Sequence, residues 1–178
     1  SRGVVGGGGG GRGGGGGGGG EWGGGVRVGR VEVSCVPAQH WSRGGLVDQG
    51  ATRWGGVVRT GPGGPRVYHA GDSAYGPFFA EIGSRYPGID VGMLPIGAYD
   101  PPWFMSRQHM GPEEAGRAWQ ILGAKNLGAM HWGTVQLTDE PLGEPPLRLR
   151  AGFDERGIAP YRRWIQDFGW TVSPTRVW

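Results

Sequence analysis

Three residues in this sequence have metal-binding chemistry and stand just beyond β-type runs. His40 follows the run Val31–Pro37, Asp72 follows Val67-Tyr68-His69-Ala70-Gly71, and His131 follows Asn126–Met130. Two imidazoles and one carboxylate suit zinc, iron or manganese. Zinc lowers the pKa of a bound water toward about 7, which supplies a nucleophile for hydrolysis at neutral pH. The three are too far apart in sequence for a local motif, so only a fold can assemble them. Singly, each has a plainer reading: His40 as a loop hydrogen-bonder, Asp72 as a helix cap, His131 as a packed ring. Gln108 and His109 are adjacent polar residues in a loop before Pro112, and they either face a site or sit solvated. His69 lies within a strand run and reads as structural, or at most as a neighbour of a ligand.

The elements that must position these residues follow from periodicity and punctuation. Val31–Pro37 alternates apolar and polar residues as a strand does, and Pro37 stops it. A second strand is expected over residues 52–60. The turn Gly61-Pro62-Gly63-Gly64-Pro65 joins it to residues 66–70 as a hairpin. Residues 77–86 read as a helix with Phe78, Phe79 and Ile82 on one face. An apolar run over 89–96 is followed by an aromatic loop, 97–105. Pro112 with Glu113 and Glu114 opens a second helix. Its buried face is Ala115, Ala118, Trp119 and Leu122, and Gly123 closes it. A strand at Asn126–Met130, a helix over 142–157 and a last strand around 169–172 complete the pattern. Strands alternate with helices after Asp72, and the part before it is strand-rich. The class is α/β, with its candidate ligands in loops at strand ends, where such architectures place their sites.

Composition divides the chain in two. Residues 1–30 hold 19 of the 42 glycines and the other 148 residues hold 23. Glycine has the most backbone entropy to lose and no side chain to bury, so 1–30 is expected to be a disordered low-complexity tail. Residues 31–178 form the expected domain. The tail carries too few arginines and aromatics for nucleic-acid binding, and no nucleic-acid partner is expected. It lacks the Lys-Ser/Thr that would make it a phosphate loop. Net charge is +3 with a single lysine, Lys125. The one cysteine, Cys35, has no internal disulfide partner and reads as a small buried hydrophobe. No apolar run is long enough for a membrane span.

Five stretches occur in an informative order: Pro37-Ala38-Gln39-His40-Trp41-Ser42-Arg43, Ala70-Gly71-Asp72-Ser73-Ala74-Tyr75, Pro95-Ile96-Gly97-Ala98-Tyr99-Asp100-Pro101-Pro102-Trp103-Phe104-Met105, Gln108-His109-Met110 and His131-Trp132-Gly133-Thr134. Together they resemble the metallo-β-lactamase-fold family of N-acyl-phosphatidylethanolamine-hydrolysing phospholipase D and its bacterial relatives. The likeness runs from about Val31 to about Val172. It implies a binuclear zinc hydrolase acting on a phosphodiester, with a phospholipid as substrate. By the same resemblance Asp72 bridges two zincs, His40 completes one zinc site and His131 the other. Asp72, Gln108 and His109 would then lie at the catalytic centre.

The family pattern also has an H-x-H-x-D-H cluster, and no histidine precedes His40 here. The expectation is therefore the C-terminal half of a metallo-β-lactamase αβ/βα sandwich, holding at most one zinc, weakly, and impaired as an enzyme on its own. The alternative is a non-catalytic half-domain that associates with another chain. An apolar sheet face left bare would favour self-association, with Trp54, Trp103 and Trp119 partly exposed. The expected location is cytoplasmic. The aromatic loop over 99–105 leaves peripheral membrane contact open, since it could meet lipid or pack inside.

Overall fold

The structure, a computed structural model, describes residues 24–40, 54–167, 169 and 171. Its centre is a seven-stranded sheet whose spatial order is its chain order. Strands β1 (Gly25–Val28), β2 (Val31–Pro37), β3 (Gly55–Thr60) and β4 (Val67–His69) form an antiparallel meander. Strands β5 (Val91–Pro95), β6 (Asn126–Met130) and β7 (Arg163–Trp164) then add in parallel. The change follows from the connections. The proline–glycine turn after Thr60 is short enough for a hairpin, whereas each parallel step needs a crossover, and helices supply it. These helices are α1 (Phe78–Arg85), the pair α2 (Pro102–Met105) and α3 (Pro112–Leu122), and α4 (Glu144–Glu155).

Register divides the sheet into two faces. Ser34, Val58, Tyr68, Gly92 and Leu127 lie opposite one another across five strands. That row, with Val36 and Leu94 two residues on along their strands, faces the helices. Phe79 and Ile82 of α1, Ala115, Ala118, Trp119 and Leu122 of α3, and Leu149 and Phe153 of α4 join the same buried cluster. A side chain on Gly92 would press on Leu122, so glycine lets α3 lie close to the sheet. Helix α3 has its expected bounds. Pro112 occupies its first turn, Glu114 accepts the N–H of Gly111, and Gly123 ends it at φ 68°.

The opposite face carries Val31, Val33, Val57, Val67 and Met93, all only half-buried, with Cys35 and His69 exposed. Four sequence expectations change here. Cys35 is exposed, because strand parity puts it on the uncovered face while Ser34 and Val36 point to the core. Trp119 is buried against Phe153, with ring centroids 5.0 Å apart, whereas Trp54 and Trp103 are exposed as expected. Gly25–Val28, inside the stretch expected to be a tail, is strand β1 paired to β2; residues 1–23 lie outside the described residues. The last strand is Arg163–Trp164, while the one expected over 169–172 falls largely outside the described residues.

Candidate metal centre

The meander places the ligand-bearing loops at one edge. Strand β2 is antiparallel to β3, and β3 to β4, so β2 runs parallel to β4, β5 and β6. All four therefore end at the same edge. His40 lies three residues beyond β2, Asp72 three beyond β4, and His131 directly after β6. His109 belongs to the long connection between β5 and α3.

Local backbone chemistry makes each turn. Gly71 has φ 66°, a left-handed conformation that swings the chain from β4 toward the edge and aims Asp72 into it. Its N–H donates to Nδ1 of His69, which gives His69 a structural role. His131 itself has φ 58°, and Ala98 opposite has φ 65°. A Cβ on Gly97 would collide with the carbonyl of His131, so these two loops can meet only with glycine there. His109 is fixed by its backbone N–H, which donates to the Met105 carbonyl at the end of α2.

Asp72 is the hub. Oδ1 lies 2.7 Å from Nδ1 of His109, and Oδ2 lies 3.2 Å from Nε2 of His40 and 3.4 Å from Nε2 of His131. The His40 and His109 rings meet edge-on with centroids 5.1 Å apart, and His109 stacks on His131 at 5.4 Å. Trp54 packs edge-on against His40 at 4.4 Å. Burial pushes the Asp72 carboxyl up, but His109 and His131 beside it outweigh that and hold it well below the usual carboxylate range. Asp72 in turn pushes His131 up, against the opposing effect of burial.

The donor set fits a divalent metal on a structural criterion. Asp72 Oδ1 and His109 Nδ1 are buried and 2.7 Å apart, yet neither makes a well-aligned hydrogen bond. Buried polar atoms left so are uncommon and point to a group that takes both lone pairs. Ligand atoms of His40, Asp72 and His109 lie within 4.8 Å of one another. His131 reaches the same carboxylate at Oδ2, 3.4 Å from its Nε2. The structure thus brings together all three residues expected as ligands and adds His109, which sequence reasoning had placed at the centre but not in a ligand's position. Gln108 lies next to it, half-buried, in a concavity it shares with His40, Trp103 and Phe104.

Two positioning residues had no local signal. Gln39 ties three loops together: its N–H donates to Ser73 Oγ, its carbonyl accepts from Ala74, and its side-chain amide donates to the Arg107 carbonyl. Glu140, buried, accepts the N–H groups of Ala98 and Asp100 at 2.5 and 3.2 Å. It pins the segment after His131 to the loop after β5.

The chain is thus a mixed sheet with helices on one face and a histidine–carboxylate cluster at its strand ends. Residues 19–132 match the Beta-lactamase superfamily domain, and the chain belongs to that family. An uncharacterized protein of Mycobacterium tuberculosis is 39% identical over 141 residues, covering 78% of this chain and 37% of its own length. The mitochondrial N-acyl-phosphatidylethanolamine-hydrolyzing phospholipase D of Saccharomyces cerevisiae is 34% identical over 135 residues, covering 72% of this chain and 29% of its own. Among solved structures, the metallo hydrolase Igni18 of Ignicoccus hospitalis superposes with a TM-score of 0.62 at 24% identity, covering 86% of this chain and 59% of that one. The chain thus spans about a third of the length of these curated relatives.

Proposed function

We propose that this chain belongs to a zinc-dependent hydrolase acting on phosphodiesters, of the N-acyl-phosphatidylethanolamine phospholipase D type. The convergence of Asp72 with His40, His109 and His131 from four separate loops carries this reading. His40, Asp72 and His131 are the proposed zinc ligands, and His109 Nδ1, 2.7 Å from Asp72 Oδ1, is a further candidate for the same ion. A metal held there supplies a Lewis acid and lowers the pKa of water. The chain's own residues do the rest. The depressed Asp72 carboxyl stays ionised at neutral pH and needs no proton removed before it binds a cation. Trp54 shields one side of His40 from water. Gln108 lines the approach and offers polar atoms to a phosphoryl oxygen, with His109 behind it against Asp72. Trp103 and Phe104, 80% and 49% exposed, flank that approach and suit peripheral contact with a lipid surface. Among the described residues no helix is long and apolar enough to cross a membrane.

The zinc content of chain purified without chelator, read by mass spectrometry alongside hydrolysis of bis(4-nitrophenyl) phosphate, tests the reading. About one zinc per chain with measurable turnover is expected. Metal-free chain that takes up no zinc on titration would sink it. A second reading, a non-catalytic half-domain that associates with another chain, draws on the half-buried valines of the uncovered sheet face. It predicts a dimer or larger species in sedimentation and no hydrolysis.

A further inference from the structure

Beside the metal centre lies a cavity of about 150 Å³ that no step above uses. One wall is Gly97, Ala98 and His131, so the ring expected to hold metal also lines the cavity. The other wall comes from the segment after β6 and carries Val135, Leu137 and Leu142. These three side chains are 61%, 68% and 40% exposed within eight residues of sequence. Large apolar groups left open together, next to a polar centre, mark a place where an apolar ligand is bound.

The wall is built rather than loose. Gln136 Nε2 donates to the carbonyls of Thr138 and Glu140 at 2.7 and 2.6 Å, closing the segment on itself. The Glu140 carboxylate then ties it to the N–H groups of Ala98 and Asp100 across the cavity. The apolar side chains are therefore held open before any ligand arrives, which lowers the ordering cost of binding.

Size limits the occupant. A cavity of about 150 Å³, lined by Val135, Leu137 and Leu142 together with polar groups such as His131 and Thr134, takes one benzene-sized molecule. We propose that this cavity binds a compact apolar group of about six carbons, the alkyl, aryl or proximal acyl part of a substrate whose polar end sits at Asp72 and His131. Carbon beyond that length leaves the cavity and gains nothing from it. The proposal rests on the hydrolase reading for the polar end of the ligand, but the cavity itself is tested separately.

The experiment titrates n-alkylphosphonates, methyl to dodecyl, into the zinc-loaded full chain by calorimetry. Methyl NMR of Val135, Leu137 and Leu142 follows 1-hexanol in metal-free chain. Hexanol is expected to shift those methyls saturably. Phosphonate affinity is expected to tighten about fourfold per CH₂ and level off near six carbons. The double variant Val135→Asn, Leu137→Asn should flatten that slope and leave methylphosphonate affinity unchanged. Hexanol that leaves the three methyls unmoved overturns the proposal, as does an affinity that is flat with length or keeps climbing to dodecyl. Saturable hexanol shifts without any methylphosphonate binding would instead remove the metal centre, sinking the hydrolase reading and leaving the cavity standing.

Discussion

The two faces of the sheet are made of similar residues and have opposite fates. On one, Val36, Val58, Tyr68, Leu94 and Leu127 are 2% exposed or less beneath three helices. On the other, Val31, Val33, Val57, Val67 and Met93 stay half-open. Both sets are β-branched or apolar and alternate along the same strands. Strand propensity therefore formed the sheet, and the helices alone decided which face became core. The ligands belong to neither face. They sit on the edge between them, where the strands end, and so can be exchanged without disturbing the packing.

The largest contrast is in stability. Leu94→Ala should cost about 2–5 kcal/mol, since it opens a cavity among α3, β4 and β6 that the close-packed cluster fills poorly. Urea unfolding reads it, and a loss below about 1 kcal/mol would mean that the helices do not cover this face.

Next comes the edge. Glu140→Gln keeps the shape but weakens two charge-assisted bonds to buried backbone, at a cost of about 1–3 kcal/mol. Its pH dependence has a definite sign. Burial pushes the Glu140 carboxyl up, but hydrogen bonds from Thr138 and from the backbone, Ala98 and Asp100 included, outweigh it and hold it below its usual value. A depressed carboxyl stabilises the fold fully above the unfolded value of about 4.3 and loses that contribution as pH falls through the folded one. The melting temperature of the parent should thus fall below pH 4.3 more steeply than that of Glu140→Gln. Parallel curves would show that Glu140 contributes nothing by its charge.

Asp72→Asn should weaken zinc binding by roughly tenfold or more, since it removes the charge of the carboxylate that all three imidazoles approach, while unfolding stays cooperative. Zinc competition with a chromophoric chelator measures it. Unchanged affinity would place the metal elsewhere.

The same contrast explains what could be read from the sequence. Helix α3 and strand β6 were legible to the residue because their signals are local: Pro112 and Gly123 bracket one, and Lys125 and His131 bound an apolar run in the other. His40, Asp72 and His131 were legible as strand-end residues, and parallel β2, β4 and β6 carry all three to one edge. Strand β1 was hidden in glycine because only pairing with β2 makes it a strand. Cys35 was misjudged because alternation reveals two faces without saying which one the helices take. The contact of His109 with Asp72, and the ties made by Gln39 and Glu140, join residues far apart in sequence through irregular loops, where periodicity has nothing to say.

The smallest expected effect is the sharpest test of the two faces. Val57 and Val58 are neighbours in β3, identical in type, pointing opposite ways. Val58 is fully buried and Val57 is half-buried opposite Cys35 and His69. Thr has the shape of Val and similar strand propensity, so the substitution chiefly reports what a hydroxyl meets. Val58→Thr should cost about 1–3 kcal/mol, because the hydroxyl is taken out of water into the apolar cluster that holds Val58. Val57→Thr should fall within about 0.5 kcal/mol of zero, because water reaches its hydroxyl. Equal costs at the two positions would mean that something covers the open face in solution. The cost at Val57 would then depend on protein concentration if that cover is a second copy of the chain, and would be independent of it if the cover lies within the same chain.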